Sequence, residues 1–246
     1  MDHVLYVMAS GAKQIMHAQT VNSNNLANAN TTGFQADLAN FDAQYLTGPG
    51  ADSRVYSVAE DIGLSFDKGG IISTGRELDV AVNGDGWIAV QAPDGTEAYT
   101  RAGDLKVNVN GQLLTGAGHP VLGDGGPLIV PDFQKLEIAG DGSISVLPVG
   151  QTPTTMAEVG RIKLVAPDMN NLIKGQDGLL RTRDANQAEA SNNVSLISGV
   201  LETSNVNSVE ALVNMIDYAR QFEMTVKLMK SAERMDEQTT KIMNIG

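Results

Sequence analysis

Three histidines, His3, His17 and His119, are the first candidates for chemistry in this 246-residue chain. On one helix His3 and His17 share a face but lie about 21 Å apart along the axis, too far to hold a common metal ion. His119 precedes Pro120 in a glycine-rich stretch and reads as a loop residue. "NGDGW" (83–87) and "GDGGP" (123–127) have the oxygen-rich look of calcium loops. They lack the spaced carboxylates and closing bidentate glutamate of an EF-hand, and no nonapeptide repeat accompanies them, so turn chemistry accounts for both. Trp87 offers a ring on which a sugar can stack, yet its alternating apolar surroundings predict a core residue. No HExxH, Walker A or GxSxG segment occurs. The chain has no cysteine, which excludes disulfides, thiolate metal sites and a cysteine nucleophile. No catalytic residue, metal ligand or cofactor site is therefore assigned.

What remains is hydrogen-bonding chemistry without charge. "NSNNLANANTTGF" (22–34) places five asparagines in nine positions directly after a helical pattern. Asparagine is a poor helix-interior residue because its short amide competes for nearby backbone groups. The net charge of −12 and pI near 4.6 argue against wrapping nucleic acid, which needs clustered Lys and Arg. No run approaches 18 consecutive apolar residues, so no membrane span is expected. The beginning "MDHVLYVMASGAKQIMHAQ" lacks a basic leader, a long apolar core and an A-x-A site, so no cleaved signal peptide is expected.

The elements that carry this stretch fall into three zones. Leu5, Met8, Ala12 and Ile15 recur at spacings of 3, 4 and 3, predicting a helix over the first 29 residues. Between Met1 and Ala36 only Asp2 and Lys13 are charged, unlike the outer face of an ordinary solvated helix. Near the other end Leu212, Met215, Ala219, Phe222, Val226 and Met229 keep a 3-4-3-4-3 rhythm, predicting a helix over 208–241, about 50 Å long. Ser208 is its expected N-cap, with Asn205 or Asn207 as alternatives. One stripe cannot hold so long a helix alone. The terminal helices either pair within a subunit and then pack against other subunits, or stay largely disordered until they do. Between 37 and 200, short apolar runs alternate with Asn83-Gly84, Asp94-Gly95, Asn110-Gly111, Asp141-Gly142 and Asp177-Gly178. "LKVNVNGQLLT" alternates on both sides of its Asn-Gly and predicts a hairpin. "TGAGHPVLGDGGP" reads as loop plus a short strand, and "YLTGPGAD" (45–52) as a break. The fold class is α+β, an antiparallel β domain inserted between helical termini.

These residues also resemble a known family. "NNLANANTTGF" is similar to the N-terminal signature of bacterial flagellar basal-body rod and hook proteins, carried here by Asn25, Leu26, Ala27, Asn28, Thr31, Gly33 and Phe34. "ETSNVNSVEALVNMI" resembles the matching C-terminal signature, with Thr203, Ser204, Asn205, Val206 and Asn207 at its centre. "LDVAVNGDGWIAVQAPDGTEAYTRAG" looks like the shared β module, and the three matches stand in the family's order. "RVYSVAEDIGLSFDKGG", "VGRIKLV" and "YARQFEMTVKLMKSAERMDE" are most similar to the proximal-rod members. The distal-rod type, which carries a Gln-Arg-Ala-Tyr-Glu-type stretch in place of "ARQFEM", is the alternative; a soluble carbohydrate-binding β module is a more remote one.

The resemblance implies a non-enzymatic structural subunit of the periplasmic rod, exported by the flagellar type III apparatus. It would self-associate with proximal and distal rod proteins in a helical tube that transmits torque and encloses the export channel. It also implies coiled-coil-like pairing of the termini: a helical assembly domain (1–36 plus 203–246), a connecting region (37–75 plus 185–202) and a β domain (76–184). In such a tube each terminal helix is surrounded by near-copies, so charge would be repelled and desolvated, whereas Asn, Thr and Ser offer donors and acceptors at no charge. The asparagine-rich stretch is thus expected to end the first helix, with Gly33 supplying a left-handed conformation, and to bond neighbouring chains.

Overall fold

A computed structural model describes residues 2–45, 55–59, 63–148, 156–184 and 186–243. The chain packs as two units. One comprises Met1–Ala29, Ala36–Ser65 and Val206–Gly246; the other comprises Asn30–Gln35 and Phe66–Asn205.

The first unit is built on α1 (Asp2–Ala27) and α2 (Ser208–Met243), which pack against each other. On α1 Ala12, Ala18 and Val21 are buried, and Leu5, Met8 and Ile15 are half-buried. The helix runs on through Asn22, Asn24 and Asn25, then tightens: the Asn28 N–H reaches both the Asn24 and Asn25 carbonyls at 3.1 Å. Two short antiparallel ladders complete the unit, Asp37–Leu38 with Gly63–Leu64 and Phe41–Tyr45 with Val55–Ala59. Apart from Tyr45, the break read at 45–52 lies outside the described residues.

On α2 the face turned from solvent differs from the expected stripe. Ala211 is buried, and Met215, Tyr218, Phe222, Thr225, Val226, Met229 and Ala232 are half-buried, a 4-3-4-3 run. Leu212 and Ala219, counted on the expected stripe, are exposed. Two overlapping heptad registers are written into this helix. In the register used, Ala211 is buried and its carbonyl accepts the buried Asn22 amide at 2.7 Å.

The second unit is antiparallel throughout. A five-stranded sheet runs in the order Leu164–Val165, Trp87–Gln91, Glu97–Thr100, Leu180–Thr182, Leu172–Lys174. Phe133–Ile138, Ser143–Pro148 and Ala157–Arg161 form a three-stranded meander. Val80–Asn83 turns tightly at Gly84 into Trp87–Gln91 but pairs with distant Ser195–Ser198, and Ile71–Ser73 pairs with Val200–Glu202. The core gathers Val80, Ile88, Val90, Leu105, Leu113, Val121, Leu136, Ile144 and Ile162. Trp87–Ala89 and Val90 are all buried, so this strand is covered on both faces instead of alternating.

The expected hairpin joins Leu105–Val107 to Leu113–Thr115. The Gly111 N–H closes a turn onto the Asn108 carbonyl at 3.0 Å, and Gly111 then takes φ +78°, which its missing Cβ permits. The glycines of the other four turn dipeptides also lie at positive φ. In the glycine-rich stretch Leu122–Gly123 folds back on Gly126–Pro127.

Residues 30–35 and 203–205, which the resemblance placed with the helices, pack with the β unit. The bonds described next explain why.

Candidate assembly site

Helix α1 presents the first part of the N-terminal signature. Asn25 turns both ends of its amide to one residue, donating to the Asp37 carbonyl at 2.8 Å and accepting the Asp37 N–H at 2.9 Å. The amide thereby imitates a strand partner and pins the chain after its turn. Asn28 donates to the Asn24 carbonyl at 3.0 Å, closing the helix end. Leu26 is half-buried and Ala27 exposed. Within the chain, one N–H of each of these amides serves backbone of its own unit.

The rest of the signature lies on the β unit. Gly33 takes φ +64°, and a Cβ built there would stand 2.3 Å from the Arg101 carbonyl carbon and 2.4 Å from the Ala102 nitrogen. Both the backbone angle and the close approach demand glycine. Its N–H donates to the Glu202 carbonyl at 2.8 Å. Thr31 is exposed, and its carbonyl accepts the Phe34 N–H at 3.3 Å. The Lys174 ammonium stands 3.9 Å from the centre of the Phe34 ring and donates to the Gln35 carbonyl at 2.8 Å.

The C-terminal signature meets the same place. The Thr203 N–H donates to Gly70 at 2.7 Å, and the Asn205 N–H to Phe34 at 3.2 Å. The Asn205 amide donates to the Asp67 carbonyl at 2.9 Å, and Ser204 is buried. Val206 is half-buried in the helical unit. Asn207 is the N-cap of α2, its Oδ1 accepting the Val209 and Glu210 N–H groups at 3.1 and 3.3 Å. Ser208, the first expectation, is instead the first helical residue.

Under these segments sits an ion pair. Arg101 and Glu202, whose side chains are 2% and 6% exposed, meet at 3.3 Å, with the guanidinium 5.7 Å from the centre of the Trp87 ring. Phe66 packs edge-on against that ring at 6.1 Å. Trp87 is 1% exposed, so it is no sugar platform. Asp85 of the supposed calcium loop pairs with Lys68 at 2.9 Å, and that bond holds its carboxyl below the usual range. The Thr96 and Ser143 hydroxyls do the same for the turn carboxylates Asp94 and Asp141, as does Arg181 for Asp177. Burial pushes the Tyr99 hydroxyl up to about 12; it accepts the Ala188 N–H at 2.8 Å and bonds Glu97 at 3.1 Å.

One surface is left open. Val209, Leu212, Val213 and Ile216 on the first turns of α2 are 69%, 50%, 53% and 54% exposed. At about 100° per residue Val209, Val213 and Ile216 lie on the face opposite Ala211, Met215 and Tyr218, with Leu212 on its flank.

Family models match the chain at three places. "Flagella basal body rod protein" covers residues 5–35, "Flagellar hook protein FlgE/F/G D1 domain" 81–146, and "Flagellar basal body rod FlgEFG protein C-terminal" 197–242. The chain is 41% identical to the flagellar basal-body rod protein FlgF of Salmonella typhimurium over the full length of both. It is 42% identical to FlgF of Escherichia coli over 95% of each chain. It belongs to the flagellar basal-body rod protein family, on the FlgF branch. FlgG of Buchnera aphidicola (subsp. Schizaphis graminum) is 33% identical, over 91% of this chain and 95% of its own. As a rod-family member the chain is a structural component of the flagellar basal body. Among the described residues no helix is long and apolar enough to cross a membrane.

Sequence reasoning on the rod signatures missed Arg101, Glu202 and Asn22. A signal existed for one of them: Glu202 is the only charge between Glu189 and Glu210. A lone charge in so long an uncharged run is a candidate for burial against a partner.

Proposed function

We propose that the chain is a subunit of the proximal rod that joins copies of itself and other rod proteins in a helical tube. The tube transmits torque across the periplasm and encloses the export channel, and the subunit works without catalysis. It reaches that position through the flagellar type III apparatus. The higher identity to FlgF than to the FlgG relative supports the proximal over the distal position.

The observation that carries this reading is the open face of α2. Four large apolar side chains within eight positions, each at least half exposed, form a patch that water does not favour. Covering what remains exposed of each is worth about 1 kcal/mol, so several kcal/mol per subunit await a neighbour. Tyr6 and Met16 leave α1 similarly open, at 66% and 54%.

Placing lysine at two of these positions, Val213→Lys with Ile216→Lys, tests the reading. The variant chain should keep its helical circular dichroism, since neither residue packs within it, while cells carrying it build no rod and do not swim. Normal swimming with both lysines in place would overturn assembly through this face.

A further inference from the structure

We propose that Arg101 and Glu202 form a clasp that fixes both rod signature segments to the β unit. Each nitrogen of the Arg101 guanidinium goes to a different acceptor. Nε donates to the Gly86 carbonyl at 3.2 Å, Nη2 to the Gly84 carbonyl at 2.6 Å, and Nη1 to Glu202 Oε1 at 3.3 Å. The same Oε1 accepts the Gly69 N–H at 3.2 Å, and the Glu202 carbonyl accepts the Gly33 N–H. Four stretches of chain are thus tied together at this pair of residues, those around 69, 85 and 202 through the side chains and that around 33 through the Glu202 backbone carbonyl.

Close backbone approach reinforces the pair on both sides. Gly33 lies against the Arg101–Ala102 peptide, and a Cβ on Gly69 would stand 1.9 Å from the Thr203 carbonyl oxygen. Neither glycine can carry a side chain in this seat. Trp87 closes the far side, giving the guanidinium a ring face where no further hydrogen-bonding group is needed.

Stability alone does not call for this arrangement. Two charges taken out of water recover their desolvation only with good geometry and further hydrogen bonds, and a well-packed apolar pair of the same volume often does as well. An apolar pair cannot, however, dictate where four backbone segments run, whereas directional donors and acceptors can. The location matches that use. The chain passes from one packing unit to the other at 29/30, 35/36, 65/66 and 205/206. Each passage lies within a short run of Gly33, Gly69 or Glu202. Arg101 and Glu202 are accordingly positioning residues, setting where the signature segments leave the β unit. The clasp is a property of the chain itself and stands whether or not the subunit occupies the proximal rod.

Amide hydrogen exchange on the full-length chain tests the clasp. In Glu202→Leu, Gly33 and Asn205 should exchange at least tenfold faster, while Ile88 to Val90 in the core strand keep their protection. Glu202→Gln retains an oxygen for Arg101 and Gly69, and should stay within about threefold of the parent at both amides. Unchanged exchange at Gly33 and Asn205 in Glu202→Leu would overturn the proposal. So would an equal acceleration at Ile88, the mark of general destabilisation. Should Glu202→Leu not fold, Arg101→Lys carries the test: one ammonium cannot span three acceptors. It should loosen Gly33 and Asn205 by threefold or more with the core strand unaltered, and no loosening there would equally overturn the clasp.

Discussion

The strand Trp87–Gln91 keeps its first four side chains from water, whereas α2 leaves Val209, Leu212, Val213 and Ile216 at least half exposed. Both stretches are rich in apolar residues, so composition does not separate them. What differs is the number of neighbours each can find within one chain. The strand has a partner on both sides in the sheet and apolar cover on both faces. Among the described residues the helix packs chiefly against α1, which shields one stripe and leaves Val209, Leu212, Val213 and Ile216 open. A sheet closed by its own chain makes a finished body; a helix pair with apolar residues on its outer face is a surface awaiting a partner.

The sharpest break of that contrast is a pair of truncations. Ile88→Ala empties a fully buried site and should lower the unfolding free energy of the β unit by about 2–5 kcal/mol, read as a lower denaturant midpoint. Ile216→Ala removes comparable atoms from an exposed site and should change the isolated chain by less than about 0.5 kcal/mol. If the two variants lost equal stability, the outer face of α2 would belong to a finished core and the contrast would be wrong.

A smaller effect marks the β unit through pH. The Tyr99 hydroxyl has its pKa pushed from 10.0 to about 12 by burial. Between those values the unfolded chain releases a proton that the folded chain keeps, so the unfolded state binds fewer protons and stability falls as pH rises. The full loss is about 2–3 kcal/mol across pH 10 to 12. Tyr99→Phe should have a flatter stability profile than the parent over that window. Urea midpoints measured from pH 9 to 11.5 check it, and parallel profiles for the two proteins would dismiss the buried hydroxyl as the source.

Why was the β unit readable and the signature only partly so? Turn glycines announce themselves, since few other residues tolerate positive φ at Gly84, Gly95 and Gly111. The heptad spacing of α2 was equally plain, yet two registers one residue apart fit it. Which of them faces α1 depends on contacts far apart in sequence, such as the Asn22 bond to the Ala211 carbonyl across 189 positions. The helices, the inserted antiparallel region and the family were legible. That Gly33 touches the Arg101 backbone, and that Asn25 bonds Asp37, was not, because a sequence does not show which of many possible acceptors lies within reach. Trp87 shows the converse case: its alternating surroundings correctly said core, though the strand proved buried on both faces.

The smallest effect separates two adjacent residues at the start of α2. Ser208 has the residue type of an N-cap, but the cap bonds come from Asn207 Oδ1 to the Val209 and Glu210 N–H groups. Asn207→Ala leaves those donors without a protein partner and should cost about 1 kcal/mol of helix stability. Ser208→Ala substitutes a better helix former at the first helical position and should be neutral within about 0.5 kcal/mol. Amide exchange at Val209 and Glu210 measures both, and faster exchange in the Ser208 variant than in the Asn207 variant would return the cap to Ser208. The comparison bears on the open face directly. Val209, Leu212, Val213 and Ile216 hold a common direction only while the first turns of α2 are wound, so a frayed cap would scatter the apolar patch before any neighbour could cover it.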